Sequence, residues 1–98
     1  MLEMPQPKPP ANEPRETREK RLRMRSMRRG IKEMDLILQA YAEDRVSAMS
    51  EADLDLYDDL LNENDHDLYQ WVTGQTAPDD RYGAMIGDIR AHIAAART

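Results

Sequence analysis

Ninety-eight residues, with 14 Lys and Arg against 19 Asp and Glu, make one small domain with a thin core and a net charge of -5. The absence of cysteine excludes disulfides, thiolate metal sites and a thiol nucleophile. The lack of a long apolar run excludes a membrane-spanning helix, so the chain reads as a soluble protein. The charge is unevenly spread. Residues 15–32 hold nine Lys and Arg against Glu16 and Glu19, whereas residues 33–98 hold four Arg against fifteen Asp and Glu. Such a split suits either a charged partner for the basic stretch or a basic helix leaning on its own acidic body, and both readings stand.

Residues 1–14 carry five of the six prolines and no apolar period, which predicts a flexible, disordered tail ahead of a single domain at 15–98. The tail has neither the Arg-rich amphipathic pattern of a mitochondrial presequence nor a secretory apolar stretch. The expected location is therefore the compartment of synthesis, the cytoplasm.

Residues 15–28 read as an arginine-rich helix with Thr17 as a candidate N-cap and only a modest apolar contribution from Leu22, Met24 and Met27. Such a polar helix is loosely docked or held by a partner. Gly30 fits a helix stop in the left-handed conformation. The next helix, over residues 31–43, turns Ile31, Met34, Leu38 and Tyr41 to one face. Residues 45–49 read as a connection, after which Ser50 caps a third helix with Leu54, Tyr57, Leu60 and Leu61 inward.

A short fourth helix starts at Asp65, turns Leu68, Trp71 and Val72 inward and ends at Gly74. The stretch 76–80 then announces a fifth, with a stripe of Tyr82, Met85, Ile86, Ile89 and Ile93. No strand pattern or internal repeat is present. The expected architecture is all-α, a small five-helix antiparallel bundle.

Catalysis finds little support in the residues. His66 and His92 are the two imidazoles, and no Ser-His-Asp, His-Glu-x-x-His or phosphate-loop pattern occurs. Asp58, Asp59, Asp65 and Asp67 lack the calcium-loop spacing and read as helix-end or solvated-face carboxylates. Trp71 reads as a core residue. The basic helix could follow phosphates, but the acidic body repels a polyanion and no aromatic side chain is interleaved with the arginines. Protein binding ranks above both, with the corner at residues 28–35 as the candidate surface. Arg28, Arg29 and Lys32 offer charge-assisted donors, and Gly30 allows close approach. Glu33 reads equally as a first-turn carboxylate satisfying the helix start and as a contact group.

The sequence Arg29-Gly30-x-x-Glu33-x-Asp35 after an arginine-rich helix resembles the Arg-Gly-x-x-Glu motif of the succinate dehydrogenase assembly factor 2 family, which includes the bacterial FAD assembly factors. The likeness runs from about Arg21 to Ile93 and includes the Asp67-Leu68-Tyr69-x-Trp71 segment and Pro78-Asp79. It implies a five-helix protein that is not itself an enzyme. Such a protein binds the flavoprotein subunit of succinate dehydrogenase, or in some bacteria fumarate reductase, and promotes covalent attachment of FAD to a histidine there.

The resemblance assigns Arg29, Gly30 and Glu33 to the contact, with Arg28 and Asp35 as flanking contacts. Many relatives carry an aromatic residue before the motif, where this chain has Met24 and Met27. No cofactor of its own is implied, and the missing phosphate-cradling glycine loop argues against tight binding of free FAD. The runner-up is an antitoxin or nucleic-acid-binding regulator that uses the basic first helix.

Overall fold

Two helix starts in this chain follow from capping side chains, those of Ser50 and Asn64. The computed structural model describes residues 13–27 and 29–96. Among them are five α-helices and no strand: α1 (Arg15–Met27), α2 (Lys32–Arg45), α3 (Glu51–Leu60), α4 (Asp65–Val72) and α5 (Gly83–Ala96). Short 3₁₀ turns at Val46–Ala48 and Asp80–Tyr82 lead into Met49 and into α5. The all-α class expected from periodicity is the one observed.

As expected, Ser50 caps α3, its Oγ accepting from the Asp53 amide at 3.1 Å. Asn64 caps α4 in the same way, its Oδ1 accepting from the His66 amide at 2.8 Å. Gly74, at φ 81°, follows α4 in the left-handed region that glycine enters without strain.

Three local expectations are corrected. Helix α1 begins at Arg15 rather than at a Thr17 cap, because the Pro14 carbonyl already accepts from the Arg18 amide at 2.9 Å. A proline just before the first turn forfeits nothing, since the amides there have no helical partner. Helix α2 runs on to Arg45, so the connection before α3 is shorter than predicted and partly 3₁₀. Gly30 is not left-handed: among the described glycines only Gly74 has positive φ.

Most of the expected apolar stripes are the core. Met34, Leu38 and Tyr41 of α2 are buried, as are Leu54, Tyr57 and Leu60 of α3. They close against Leu68 and Trp71 of α4 and Met85, Ile86 and Ile89 of α5. Helix α1 departs from expectation: Leu22 is buried, but Met24 and Met27 are 42% and 46% exposed, and the second buried position is Ser26. Its hydroxyl donates to the Leu22 carbonyl at 2.8 Å and lies 2.6 Å from the Tyr57 hydroxyl, so neither polar group is left unsatisfied.

What holds so polar a helix is a ladder of ion pairs to α3. Arg15 reaches Glu51 at 2.8 Å, Arg18 reaches Glu51 and Asp55, and Arg21 grips Asp58 with two bonds of 2.9 and 2.6 Å. Arg25 adds bonds of 2.5 Å to both Asp58 and Asn62. The pairings climb both helices together, so α1 and α3 run in the same direction. Arg15 also donates to the carbonyls of Ser47 and Met49, just past α2, which places α2 antiparallel to α1.

The basic helix therefore leans on the chain's own acidic residues, which decides between the two readings left open by the charge split. Asp58 is no solvated-face carboxylate, being only 4% exposed. Burial pushes its pKa up, but the hydrogen bonds and charges of Arg21 and Arg25 together hold it below the usual value. Arg21 is correspondingly held above its ordinary value, by Asp58 first and then Glu13, against the opposing effect of burial.

Glu13 and Pro14, which the proline pattern groups with the tail, are thus tied to α1, Glu13 through Arg21 at 2.9 and 3.0 Å. Residues 1–12, the remainder of that tail, lie outside the described residues. Among the described residues no helix is long and apolar enough to cross a membrane.

Candidate partner-binding site

Between α1 and α2 the chain turns through Arg29, Gly30 and Ile31, and three successive amides must find acceptors there. Two carboxylates supply them. Asp35, one turn into α2, accepts from the Arg29 amide. Asp65, at the start of α4, accepts from the Gly30 amide at 2.6 Å and the Ile31 amide at 3.2 Å. The other oxygen of Asp65 takes the Arg29 Nε at 2.7 Å.

The rest of the Arg29 guanidinium donates to the carbonyls of Leu61 at 2.5 Å and Glu63 at 2.9 Å. Those carbonyls lie at and just past the C-terminal end of α3, where backbone acceptors lack helical partners and a cation is favoured. Asp65 lies at the opposite kind of terminus, the positive end of α4. Arg29 and Asp65 thus satisfy two helix ends and each other.

This geometry divides the predicted contact residues. Arg29 and Asp35 face inward and are engaged within the chain. Gly30 and Glu33 face outward with Lys32, all three exposed. Neither the Glu33 nor the Lys32 side chain has a hydrogen-bond or ion-pair partner among the described residues, which leaves both charges for another molecule. Arg28 lies outside the described residues.

Gly30 is a place of close approach and its backbone is not left-handed: a Cβ there would lie 3.3 Å from Asp65 Oδ2, a tight contact that the carboxylate relieves by giving a few tenths of an ångström. The sequence places Asp65 at the start of α4, where it stands, but reads it as a helix-end or solvated-face carboxylate and not as part of the corner. The one available signal was an acidic residue at the start of a helix, which is common and points to no particular partner.

Other candidate chemistry is structural. His92 Nε2 lies 2.6 Å from Asp44 Oδ2 and its ring meets Tyr41 edge-on at 5.7 Å, joining α5 to α2. Tyr41 donates to Asp88 at 2.8 Å, and burial together with that carboxylate pushes its phenol well above the ordinary value. A tyrosine so shifted is a poor acid. Trp71 packs beside Tyr82 at 5.9 Å as a core residue, as predicted. No group of three or more His, Asp or Glu among the described residues could hold a metal ion. Every described arginine of α1 is in an ion pair, so the nucleic-acid-binding form of the runner-up reading loses the free arginines it would use to track phosphates.

Residues 20–93 match the family described as flavinator of succinate dehydrogenase. The chain belongs to that family. Its match coincides with the stretch from α1 to the end of the buried α5 stripe that carries the resemblance. The chain is 46% identical over 61 residues to a mitochondrial succinate dehydrogenase assembly factor 2 of Meyerozyma guilliermondii, covering 62% of this chain and 45% of that protein. It is 40% identical over 82 residues to assembly factor 2-B of Drosophila mojavensis, covering 82% and 52%.

A bacterial member of the family, the FAD assembly factor SdhE of Legionella pneumophila, is 33% identical over 75 residues, covering 76% of this chain and 95% of that protein. The match spans less than half the length of the first fungal relatives.

Proposed function

We propose that this chain is an assembly factor that binds the flavoprotein subunit of succinate dehydrogenase and promotes covalent attachment of FAD to it. The observation that carries the reading is the outward-facing half of the motif. Gly30 and Glu33 stand exposed on a corner that Arg29, Asp35 and Asp65 hold in one shape, so a contact surface is presented without having to be ordered on binding. The names of the relatives support succinate dehydrogenase as the client and FAD as the group attached. The fumarate reductase flavoprotein is a further client to test.

The role is that of a chaperone rather than an enzyme. The factor holds the flavoprotein so that its bound flavin and acceptor histidine meet in reactive geometry, and it transfers no proton itself. FAD is then the partner's cargo and not a cofactor of this chain. The working unit is a single domain at 15–98, and Arg28 joins Arg29, Gly30, Glu33 and Asp35 in the contact region. We place it in the bacterial cytoplasm, a setting supported by the extensive match to the Legionella relative.

The test is reconstitution. Purified flavoprotein subunit, FAD and this protein are mixed, and flavin fluorescence is read on the subunit's band after denaturing electrophoresis. An increase over the mixture lacking the factor is expected. No increase, with no complex on size-exclusion chromatography, would exclude the reading.

A further inference from the structure

Eight of the described arginines, from Arg15 to Arg81, form ion pairs. Arg90 on α5 is the described arginine that does not. It is exposed, and its guanidinium stands over Gly74, where a Cβ would lie 2.9 Å from it. Among the nine described arginines it is the one whose charge is left without a carboxylate of the chain.

Arg90 lines a cleft of about 460 Å³ between α2, α4 and α5, walled by Ile37, Tyr69, Val72 and Ile93. Glu33 of the motif lines the same cleft. The two opposite charges share one opening of mixed polar and apolar lining and form no ion pair with each other, so each retains its valence for something that enters.

We propose that this cleft receives an apolar side chain from a segment of the flavoprotein subunit, with an acidic neighbour that pairs with Arg90 and a basic neighbour that pairs with Glu33. The inference rests on the proposed function and extends its contact surface from the Gly30–Glu33 corner across α2 to α5. The chemistry is that of a short amphipathic segment: apolar area gives affinity, and the two charges of opposite sign fix its direction. Arg90 is then a specificity residue outside the Arg-Gly-x-x-Glu motif.

The experiment measures affinity of the full chain for the flavoprotein subunit by calorimetry, with circular dichroism and melting on every variant. Arg90→Glu and Ala94→Arg, which fills the cleft from an exposed position, should each weaken binding at least tenfold without changing the melt. Arg90→Gln keeps the length and covers the case in which charge reversal disturbs α5; it should weaken binding at least threefold. Native affinity in the folded variants, with Glu33→Ala still weakened, overturns cleft docking and leaves the proposed function standing. Native affinity in Glu33→Ala as well removes the Gly30–Glu33 corner as the contact surface, whereas the proposed function itself is overturned only if the parent chain does not bind the flavoprotein subunit. Self-association that Ala94→Arg abolishes, with flavoprotein affinity unchanged, assigns the cleft to a second copy and overturns the proposal.

Discussion

Arg29 and Asp65 join the α1–α2 corner to the α3–α4 corner, with Nε 2.7 Å from Oδ1 and side chains only 10% and 14% exposed. Removing the guanidinium strands a shielded carboxylate and withdraws the donors on the Leu61 and Glu63 carbonyls. Arg29→Ala should therefore cost about 2–3 kcal/mol of stability in urea unfolding. Arg29→Lys keeps the charge but not the fork, and should recover less than half of that loss. If Arg29→Ala weakens flavoprotein binding while the urea midpoint stays put, the side chain contacts the partner directly rather than holding the corner.

The outward half of the motif should behave in the opposite way. Glu33 has no partner among the described residues, so Glu33→Ala should change stability by no more than about 0.5 kcal/mol while weakening flavoprotein binding. Gly30→Ala tests the close approach. A smaller unfolded-state entropy favours alanine, and crowding of Asp65 opposes it, so stability should stay within about 1 kcal/mol of the parent. Gly30→Arg projects a long cation from the exposed corner and should abolish binding with the helical signal retained. A cooperative unfolding of Glu33→Ala would reassign Glu33 to the structure.

Much of this fold was legible because it rests on local rules. Apolar periodicity in α2 to α5 found the core, and Ser50 and Gly74 marked helix ends by their own chemistry. The register of α1 was not legible. Its docking depends on which carboxylates of α3 stand opposite each arginine, and sequence carries no record of distances across 33 to 37 residues. For the same reason Asp58 and Asp65 read as ordinary surface acids, although each faces arginine in a shielded site. Of the two reasons for singling out Gly30, the left-handed helix stop fails: a carboxylate comes close there, and the backbone is not left-handed. Arg90 was missed because an unpaired charge can be recognised only once the pairs are known.

Asp58 ties α1 to the body, and its lowered pKa gives a pH dependence of defined sign. A carboxylate whose folded pKa lies below its unfolded value contributes stability that is fully present above the unfolded value, near 3.8. That contribution is lost as the pH falls through the folded value. Stability should therefore decline below about pH 4, beginning with the release of α1. Asp58→Asn should be less stable at pH 7, by about 2 kcal/mol, and its deficit should shrink as the pH falls. A deficit that stays constant from pH 7 to pH 2.5 would show that the charge of Asp58 contributes nothing.

The alkaline limb rests on Tyr57, whose hydroxyl is buried against Ser26 at 2.6 Å. Burial is the largest influence and raises the phenol to about 12, with Ser26 and the nearby arginines partly offsetting it. Because the folded value lies above the ordinary 10.0, the neutral form is favoured by folding. That contribution is complete below pH 10 and is lost as the pH rises through about 12. Tyr57→Phe should lose about 1 kcal/mol at pH 7, since the Ser26 hydroxyl keeps its bond to the Leu22 carbonyl. It should also flatten the decline in stability between pH 10 and 12 that the parent shows. Tyr41 and Tyr82 are raised as well, so part of the decline should persist in the variant. An unchanged alkaline profile would mean that the Tyr57 hydroxyl ionises as readily in the folded protein as in the unfolded chain and that the other two tyrosines carry the whole effect.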